Sequence, residues 1–445
     1  MLLPSYAKKA IETLYNNGHK AYAVGGCVRD SIMGIVPFDY DICTSATPDQ
    51  MLEIFSGFKV IKTGIKHGTV TVIIEDKPLE ITTFRKEAEY SDHRRPDSVL
   101  FVDDLKDDLS RRDFTVNAIA YNDYEGYVDF FDGIADIKRK TLRCVGCAPK
   151  RFEEDALRIL RAVRFHSTLG FEIEKNTHNA IFEKLSLLEF VSAERIRVEL
   201  EKLLQGDNVY SCLMTYRDVI AQFIPEIKPC FDFDQKNKHH KYDVYEHIVR
   251  AVSLSPKRAD IRVCMLLHDI AKPLCMTEDK KGYRHFKNHP EVGAEIAQDI
   301  LSRLKFDNKS KSYIVNQIIE HDNRFECTKE NIKRFISKYS FKFCYDHIDI
   351  RLADTKAQGE YNLKEKLDDL DMRLNFIRET EDNNECVFIS QLDINGNDLM
   401  NIGFKGREIS QTLDILLDEV MSGRLCNKKE ELMSFSKRRK KEQND

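Results

Sequence analysis

Val24-Gly25-Gly26-Cys27-Val28-Arg29-Asp30, followed after a short helical stretch by Asp39-Tyr40-Asp41-Ile42-Cys43-Thr44, is the part of the sequence on which fold and chemistry turn. Glycines lack Cβ, so Gly25-Gly26 can turn tightly and bring backbone N–H groups close to an anion. The N-terminus of the next helix adds a positive dipole end, and Arg29 adds a fixed fork for phosphate. Asp39 and Asp41 are one residue apart, so an extended strand sends both carboxylates from one face. Paired hard oxygens suit Mg²⁺, which can activate a hydroxyl and hold a leaving pyrophosphate. Each half alone is usually a turn or a solvated loop. Together, a phosphate cradle and a metal-binding Asp-x-Asp suggest nucleotidyl transfer.

Working outward, residues 5–17 read as an amphipathic helix stopped by Gly18, and 21–24 as a strand leading into the glycines. Residues 59–62 and 69–74 are β-branched runs and 79–84 alternate, which predicts a small mixed sheet with helices, an α+β module. Arg85 to Val99 is polar and charged and reads as a mobile loop. Arg111-Arg112-Asp113, with Asn117 nearby, places a basic pair beside an acid at a helix start. The stretch from Arg151 to Phe165 reads as one helix. At about 100° per residue, Ala156, Ile159, Leu160 and Val163 fall on one side, while Glu154, Asp155, Arg158, Arg161 and Arg164 fan across the other. Salt bridges at three- and four-residue spacing explain one or two of these pairs. The alternative is a base reader: a carboxylate accepts from the amino group of cytosine or adenine, and a neighbouring guanidinium donates to the ring acceptors.

The string Gly25-Gly26-x-Val28-Arg29-Asp30, Gly34, Asp39-x-Asp41, Thr44 resembles the first motif of the class II tRNA nucleotidyltransferase and bacterial poly(A) polymerase superfamily. That resemblance implies catalytic Asp39 and Asp41 holding Mg²⁺. Glu80 is then a third acid near the metals, against the competing reading of an ordinary exposed strand residue. Leu109 to Ala118 resembles the second motif, which gives Arg112, Asp113 and Asn117 nucleotide-binding roles, with the latter two near the ribose. Asp129 to Asp136 resembles the third motif, which looks like a hinge. Glu154-Asp155-x-x-Arg158 resembles the amino-acid template that selects CTP and ATP, with Arg161 and Arg164 on the triphosphate. The loop at 85–99 lies where CCA-adding members carry the segment that helps switch from C to A addition. The implied activity is template-independent CCA addition to tRNA, with poly(A) synthesis or partial CC- or A-addition as the alternatives.

A second constellation follows. His247 lies in a helical stretch, Leu266-Leu267-His268-Asp269-Ile270-Ala271-Lys272 follows an apolar run, and His289, His321 and Asp354 come later. Imidazole and carboxylate together suit a divalent transition metal or a metal pair. A single such histidine is most often a core or surface residue. The pattern resembles an HD-domain phosphohydrolase, which implies His247, His268, Asp269 and Asp354 as ligands, with His289 and His321 completing a second ion site. An HD phosphohydrolase as the main activity is therefore a further alternative. Residues 379–385 read as a linker. Ile389 to Arg407 resembles the family tail, with Lys405 and Arg407 as phosphate contacts and Gly406 opening a helix. Lys437 to Lys441 reads as a frayed terminus or as an RNA grip.

The expected organisation is a mixed-sheet head over 1–140, an all-α neck and body over 141–230, an HD domain over 239–360 and a helical tail over 385–445. The expected partners are tRNA, met at its 3′ end and acceptor/T-arm region, and CTP and ATP, with no protein partner. At 445 residues the chain can bury several cores, and its net charge of −5 leaves RNA contact to local basic patches. The start carries no signal-peptide pattern and no apolar run approaches the ~18 residues of a membrane span, so a cytoplasmic location is expected. Twelve cysteines are scattered, and Cys144-x-x-Cys147 without a second pair reads as an adventitious spacing rather than a zinc site.

Overall fold

A computed structural model describes residues 1–87, 99–237 and 241–442. The chain folds into two compact units, Met1–Pro225 with Arg303–Phe306, and Glu226–Ser302 with Asp307–Asp445.

The first unit begins with α1 (Ser5–Asn16), whose Ala7, Ala10, Ile11 and Leu14 recur at helical spacing and are buried. It leads into β1 (Ala21–Val24), buried along its length, then α2 (Gly26–Ile32) and β2 (Asp41–Thr44). After α3 (Pro48–Ile54) come β3 (Lys59–Ile61), β4 (Thr69–Ile74) and β5 (Lys77–Thr83). In β4 the residues Val70, Val72 and Ile74 are buried while the intervening positions are not, which is the two-residue period of a half-covered sheet. The short β6 (Arg85–Glu87) and β7 (Val99–Phe101) pair antiparallel, so both ends of the expected loop are ribbon; residues 88–98 lie outside the described residues. Then come α4 (Leu105–Ser110), β8 (Ile119–Asn122) and β9 (Gly126–Asp129). The main sheet runs β3-β4-β5-β2-β1-β8-β9 and is mixed: β2 and β5 are parallel, the other neighbours antiparallel.

Helices α5 (Gly133–Arg139), α6 (Ala148–Glu154), α7 (Leu157–Leu169), α8 (Lys175–Glu183), α9 (Ala193–Leu204), α10 (Val209–Thr215) and α11 (Arg217–Phe223) complete this unit. The helix expected over 151–165 is broken. Asp155 is extended (φ −143°, ψ 103°), and its carboxylate accepts from the Leu157 N–H at 3.1 Å, so it ends α6 and supports the start of α7. Aspartate competes for backbone donors in this way and favours helix ends over interiors.

The second unit is helical: α12 (Val244–Leu254), α13 (Ala259–Leu267), α14 (His289–Arg303), α15 (Asn308–Glu320), α16 (Lys329–Lys338), α17 (Phe341–Gln358), α18 (Leu363–Asp382), α19 (Gly396–Asn401), α20 (Arg407–Met421) and α21 (Lys429–Glu442). The linker expected at 379–385 is half helix, because Ile377 and Thr380 are buried and hold α18 regular through Asp382. The last basic run is helical through Glu442, with Lys440 paired to Glu408 at 2.8 Å. Among the described residues no helix is long and apolar enough to cross a membrane.

Candidate active sites

Gly25 is the pivot of the first site. Its φ of +81° favours glycine, and a Cβ there would also crowd Arg112 Nη1 at 3.1 Å. Gly26 then starts α2, which carries Arg29. Arg29 is buried and donates to Asp30 Oδ1 at 2.8 and 2.6 Å and to Asn117 Oδ1 at 2.7 Å. It is therefore bound into the protein, whereas the sequence pattern alone aims it at phosphate.

Asp41 opens β2, and the parallel register sets Glu80 of β5 directly beside it, so the two carboxylates leave the same face of the sheet. Asp39 lies before the strand rather than on it: Pro37 offers no ladder donor and the chain bends at Phe38, so strand alternation does not set its approach. All three acids are exposed, and none forms an ion pair among the described residues. Partial burial, then repulsion from Asp39 and Glu80, raises the pKa of Asp41, against the opposing pull of Arg112. Such a carboxylate gains from a cation at its side.

Behind the acids lies a relay of paired charges. Arg111 and Arg112 do not start a helix; they follow the end of α4, where buried Asp108 takes Arg111 at 2.9 Å and Arg112 at 3.3 Å. Asn117 donates to Asp113 at 3.1 Å, and Arg161 grips the other oxygen of Asp113 at 2.8 and 2.6 Å. Burial alone would raise the Asp113 pKa, but Arg161 and then Asn117 hold it down to about 2. Glu199 of α9 lies 3.0 Å from Arg164 and 3.9 Å from Arg161, and Arg164 stacks on Phe165 at 4.0 Å. Burial brings the Arg164 pKa down to about 10.

Arg158 donates to Glu154 at 2.6 Å and to the carbonyls of Arg151 and Arg111 at 3.0 and 2.9 Å, whereas Asp155 accepts from Arg195 at 2.8 Å. The template residues thus sit on one turn of chain, each with its own partner. Asp108, Arg195 and Glu199 were missed as parts of this site. Asp108 was legible from its helical spacing to Arg111 and Arg112; Arg195 lies 40 residues from its partner, beyond any local signal. The third motif is clamped: Asp129 accepts from the N–H groups of Gly133 and Ile134, and buried Asp136 takes Thr115, Arg139 and Arg143. It fixes the single-turn 3₁₀ helix Thr115–Asn117 that presents Asn117.

The second unit gathers all six expected ligands into two clusters that share Asp269. His247 Nε2 lies 3.1 Å and His268 Nε2 3.2 Å from Asp269 Oδ2, and Asp354 Oδ1 is 3.0 Å from His247. On the other side, His289 and His321 lie 3.3 and 3.6 Å from Asp269 Oδ1. The Nδ1–H groups of His268, His289 and His321 donate to the carbonyls of Met265, Phe286 and Ile318, which turns each Nε2 inward as a metal ligand requires. Burial opposes charging His268, yet Asp269 and Asp354 raise its pKa to about 10, and a cation would take the place of that proton. Lys272 pairs with Asp269 at 2.6 Å. A cleft of about 1040 Å³ opens over the cluster. Its wall includes Asn362, Lys366 and Arg373, past the HD boundary expected at 360. Cys144 is buried and Cys147 exposed, both free thiols and part of neither cluster.

Comparison with known proteins matches the poly A polymerase head domain to residues 21–143, the probable RNA and SrmB-binding site of polymerase A to 170–231, and the HD domain to 239–369. The CCA-adding enzyme of Staphylococcus haemolyticus is 34% identical over 438 residues, 97% of each chain. That of Lactiplantibacillus plantarum is 51% identical over 202 residues, 45% of this chain and about half (49%) of that enzyme. The Bacillus stearothermophilus CCA-adding enzyme in complex with CTP superposes with TM-score 0.73 at 29% identity, covering 100% of both chains. The Thermotoga maritima CCA-adding enzyme complexed with tRNA shares the fold, with TM-score 0.54 at 22% identity over 96% of this chain and 93% of that one. The nucleotidyltransferase and HD matches together imply dependence on divalent metal.

Proposed function

The chain belongs to the family of CCA-adding enzymes, and we propose that it completes tRNA by adding CCA from CTP and ATP without a nucleic-acid template. The observation that carries this reading is the register of Asp41 with Glu80, beside an Arg112 whose guanidinium tip rests close to Gly25. Asp39 and Asp41 are the acids that hold Mg²⁺, with Glu80 a third acid beside them. When bound, Mg²⁺ lowers the pKa of the RNA 3′ hydroxyl and screens the departing pyrophosphate. Arg112 and the Arg161–Arg164 pair receive the triphosphate, with Gly25-Gly26 leaving room for it. Asn117 and Asp113 form a rigid support near the ribose, held in place by Arg29. Asp155, flexed at the helix break, accepts from the base amino group, and Arg158, set by Glu154, donates to the ring acceptors.

The organisation that goes with this reading is a head over 1–140, a neck and body over 141–230, an HD domain over 239–360 and a tail over 385–445, working in the cytoplasm and meeting tRNA by its 3′ end and acceptor/T-arm region. The HD cluster is a two-cation phosphohydrolase centre, whose nitrogen-rich ligand set favours transition metals over Mg²⁺. To test the main reading, tRNA lacking its three terminal nucleotides is incubated with Mg²⁺ and CTP, ATP or both. Two additions with CTP and a third when ATP is supplied support it. A long A tract indicates a poly(A) polymerase, and arrest after two C residues with both nucleotides present a partial enzyme.

A further inference from the structure

The lining of the cleft over the HD cluster mixes bases with acids, and two of its arginines, Arg351 and Arg373, carry the case for a bound anion. Arg373, on α18, is 6% exposed and lines the wall. Its Nε donates to Asp369 at 2.7 Å and its Nη2 to the Phe325 carbonyl at 2.6 Å, but its buried Nη1 has no partner among the described residues. Leaving a buried guanidinium donor unmet costs more than an ordinary hydrogen bond returns, so the position calls for an acceptor. Arg351 is the second cation. It sits on α17 three residues before the ligand Asp354, so both side chains emerge on one helix face about one turn, or 5 Å, apart. Its hydrogen-bond partner is the Asn323 carbonyl at 2.8 Å, and burial followed by repulsion from Arg373 lowers its pKa. Lys366 stands beside them, bonded at 2.7 Å to Gln358, which in turn donates to Asp354 at 2.9 Å.

Arg351, Lys366 and Arg373 line the same cleft as the ligands Asp269, His289, His321 and Asp354. The cleft volume of about 1040 Å³ is at the upper end of the roughly 300–1,000 Å³ of small-molecule sites. Resting on the reading of the HD cluster as a phosphohydrolase centre, we infer that Arg351 and Arg373 form an anion seat for a second phosphate, so that this unit cleaves phosphoanhydrides carrying linked phosphates. In that reaction the oxygen of water bonds to phosphorus and the P–O bond to the bridging oxygen breaks. The departing phosphate keeps the electron pair, and the water proton passes to solvent.

The test uses the full chain. Inorganic tripolyphosphate is titrated calorimetrically into metal-free wild type, Arg351→Gln and Arg373→Lys, with thermal unfolding as the control for folding. Wild type should show a class of sites that weakens by about tenfold or more in Arg351→Gln, the size expected for one charge-assisted contact. Sites in the head for nucleotide triphosphate persist in all three proteins. With Mn²⁺ added, the KM for phosphate release from tripolyphosphate should rise by a similar factor, measured against p-nitrophenyl phosphate as a substrate with a single phosphate. Identical isotherms in wild type and both folded variants would overturn the inference. Turnover of p-nitrophenyl phosphate with no tripolyphosphate site outside the head would overturn it too, while keeping the hydrolase reading. Turnover of neither compound, with the binding loss intact, would remove the hydrolase reading and the substrate class and leave a polyphosphate-binding site.

Discussion

Asp41 and Asp269 are both carboxylates set to meet a cation, yet their surroundings are opposite. Asp41 stands with Asp39 and Glu80, exposed, with no ion pair among the described residues and its pKa raised. Asp269 is buried, paired with Lys272 and four histidines, and held well below the usual carboxylate range: burial opposes that, but His268 and Lys272 prevail. The head thus offers exposed hard oxygens, the donor type that suits a weakly held Mg²⁺. The second unit offers a buried nitrogen–oxygen cluster at the floor of a cleft, three of its imidazoles already aimed by carbonyl bonds. Among the described residues one group of acids is left unpaired by the fold, and the other is already paired by it.

This contrast can be broken by experiment. The largest effect is expected for Asp269→Ala, which removes the carboxylate shared by both clusters. Mn²⁺ content measured by mass spectrometry should fall from both sites occupied to neither, and a full complement would contradict the shared-ligand geometry. Next, Asp155→Ala should degrade discrimination of CTP and ATP against UTP by about 10–100-fold, the worth of one base-edge contact of 1–3 kcal/mol. Single-nucleotide incorporation kinetics measure this, and unchanged rejection of UTP would remove Asp155 from base selection. Gly25→Ala forces a side chain into a glycine-only backbone region against Arg112. It should cost about 1–3 kcal/mol in urea unfolding and raise the KM for CTP.

The smallest effect concerns acid stability. Asp113 titrates at about 2 in the fold against an ordinary 3.8. Its contribution, about 2 kcal/mol, is complete above about pH 4 and is lost as pH falls through about 2. Asp113→Asn should therefore differ most from wild type near neutrality, with the gap closing toward pH 2 in denaturant titrations.

The same contrast explains what could be read in the sequence. The six HD residues were legible only as a set, through the resemblance to an HD domain, since a single histidine declares no role; the structure brings all six together. The sheet strands were legible from β-branched alternation, as in Val70, Val72 and Ile74. The head acids were legible as a motif but not in their geometry, since the chain bends at Phe38 and the strand begins only at Asp41, leaving Asp39 outside it. The helix break at Asp155 was hidden because 3.6-residue periodicity continues through it; only the capping bond to Leu157 reveals it. Partners far along the chain, such as Arg195 for Asp155, Asp113 for Arg161 and Asn117 for Arg29, leave no local trace.

The most direct measurement is the single-turnover rate of CMP addition to tRNA lacking its terminus, at saturating CTP and Mg²⁺, for wild type, Asp39→Ala and Asp41→Ala, with CTP affinity determined in parallel. The account predicts a rate loss of about a thousandfold or more, roughly 4 kcal/mol, in either variant with CTP binding largely retained. A rate within about tenfold of wild type in either variant would contradict it.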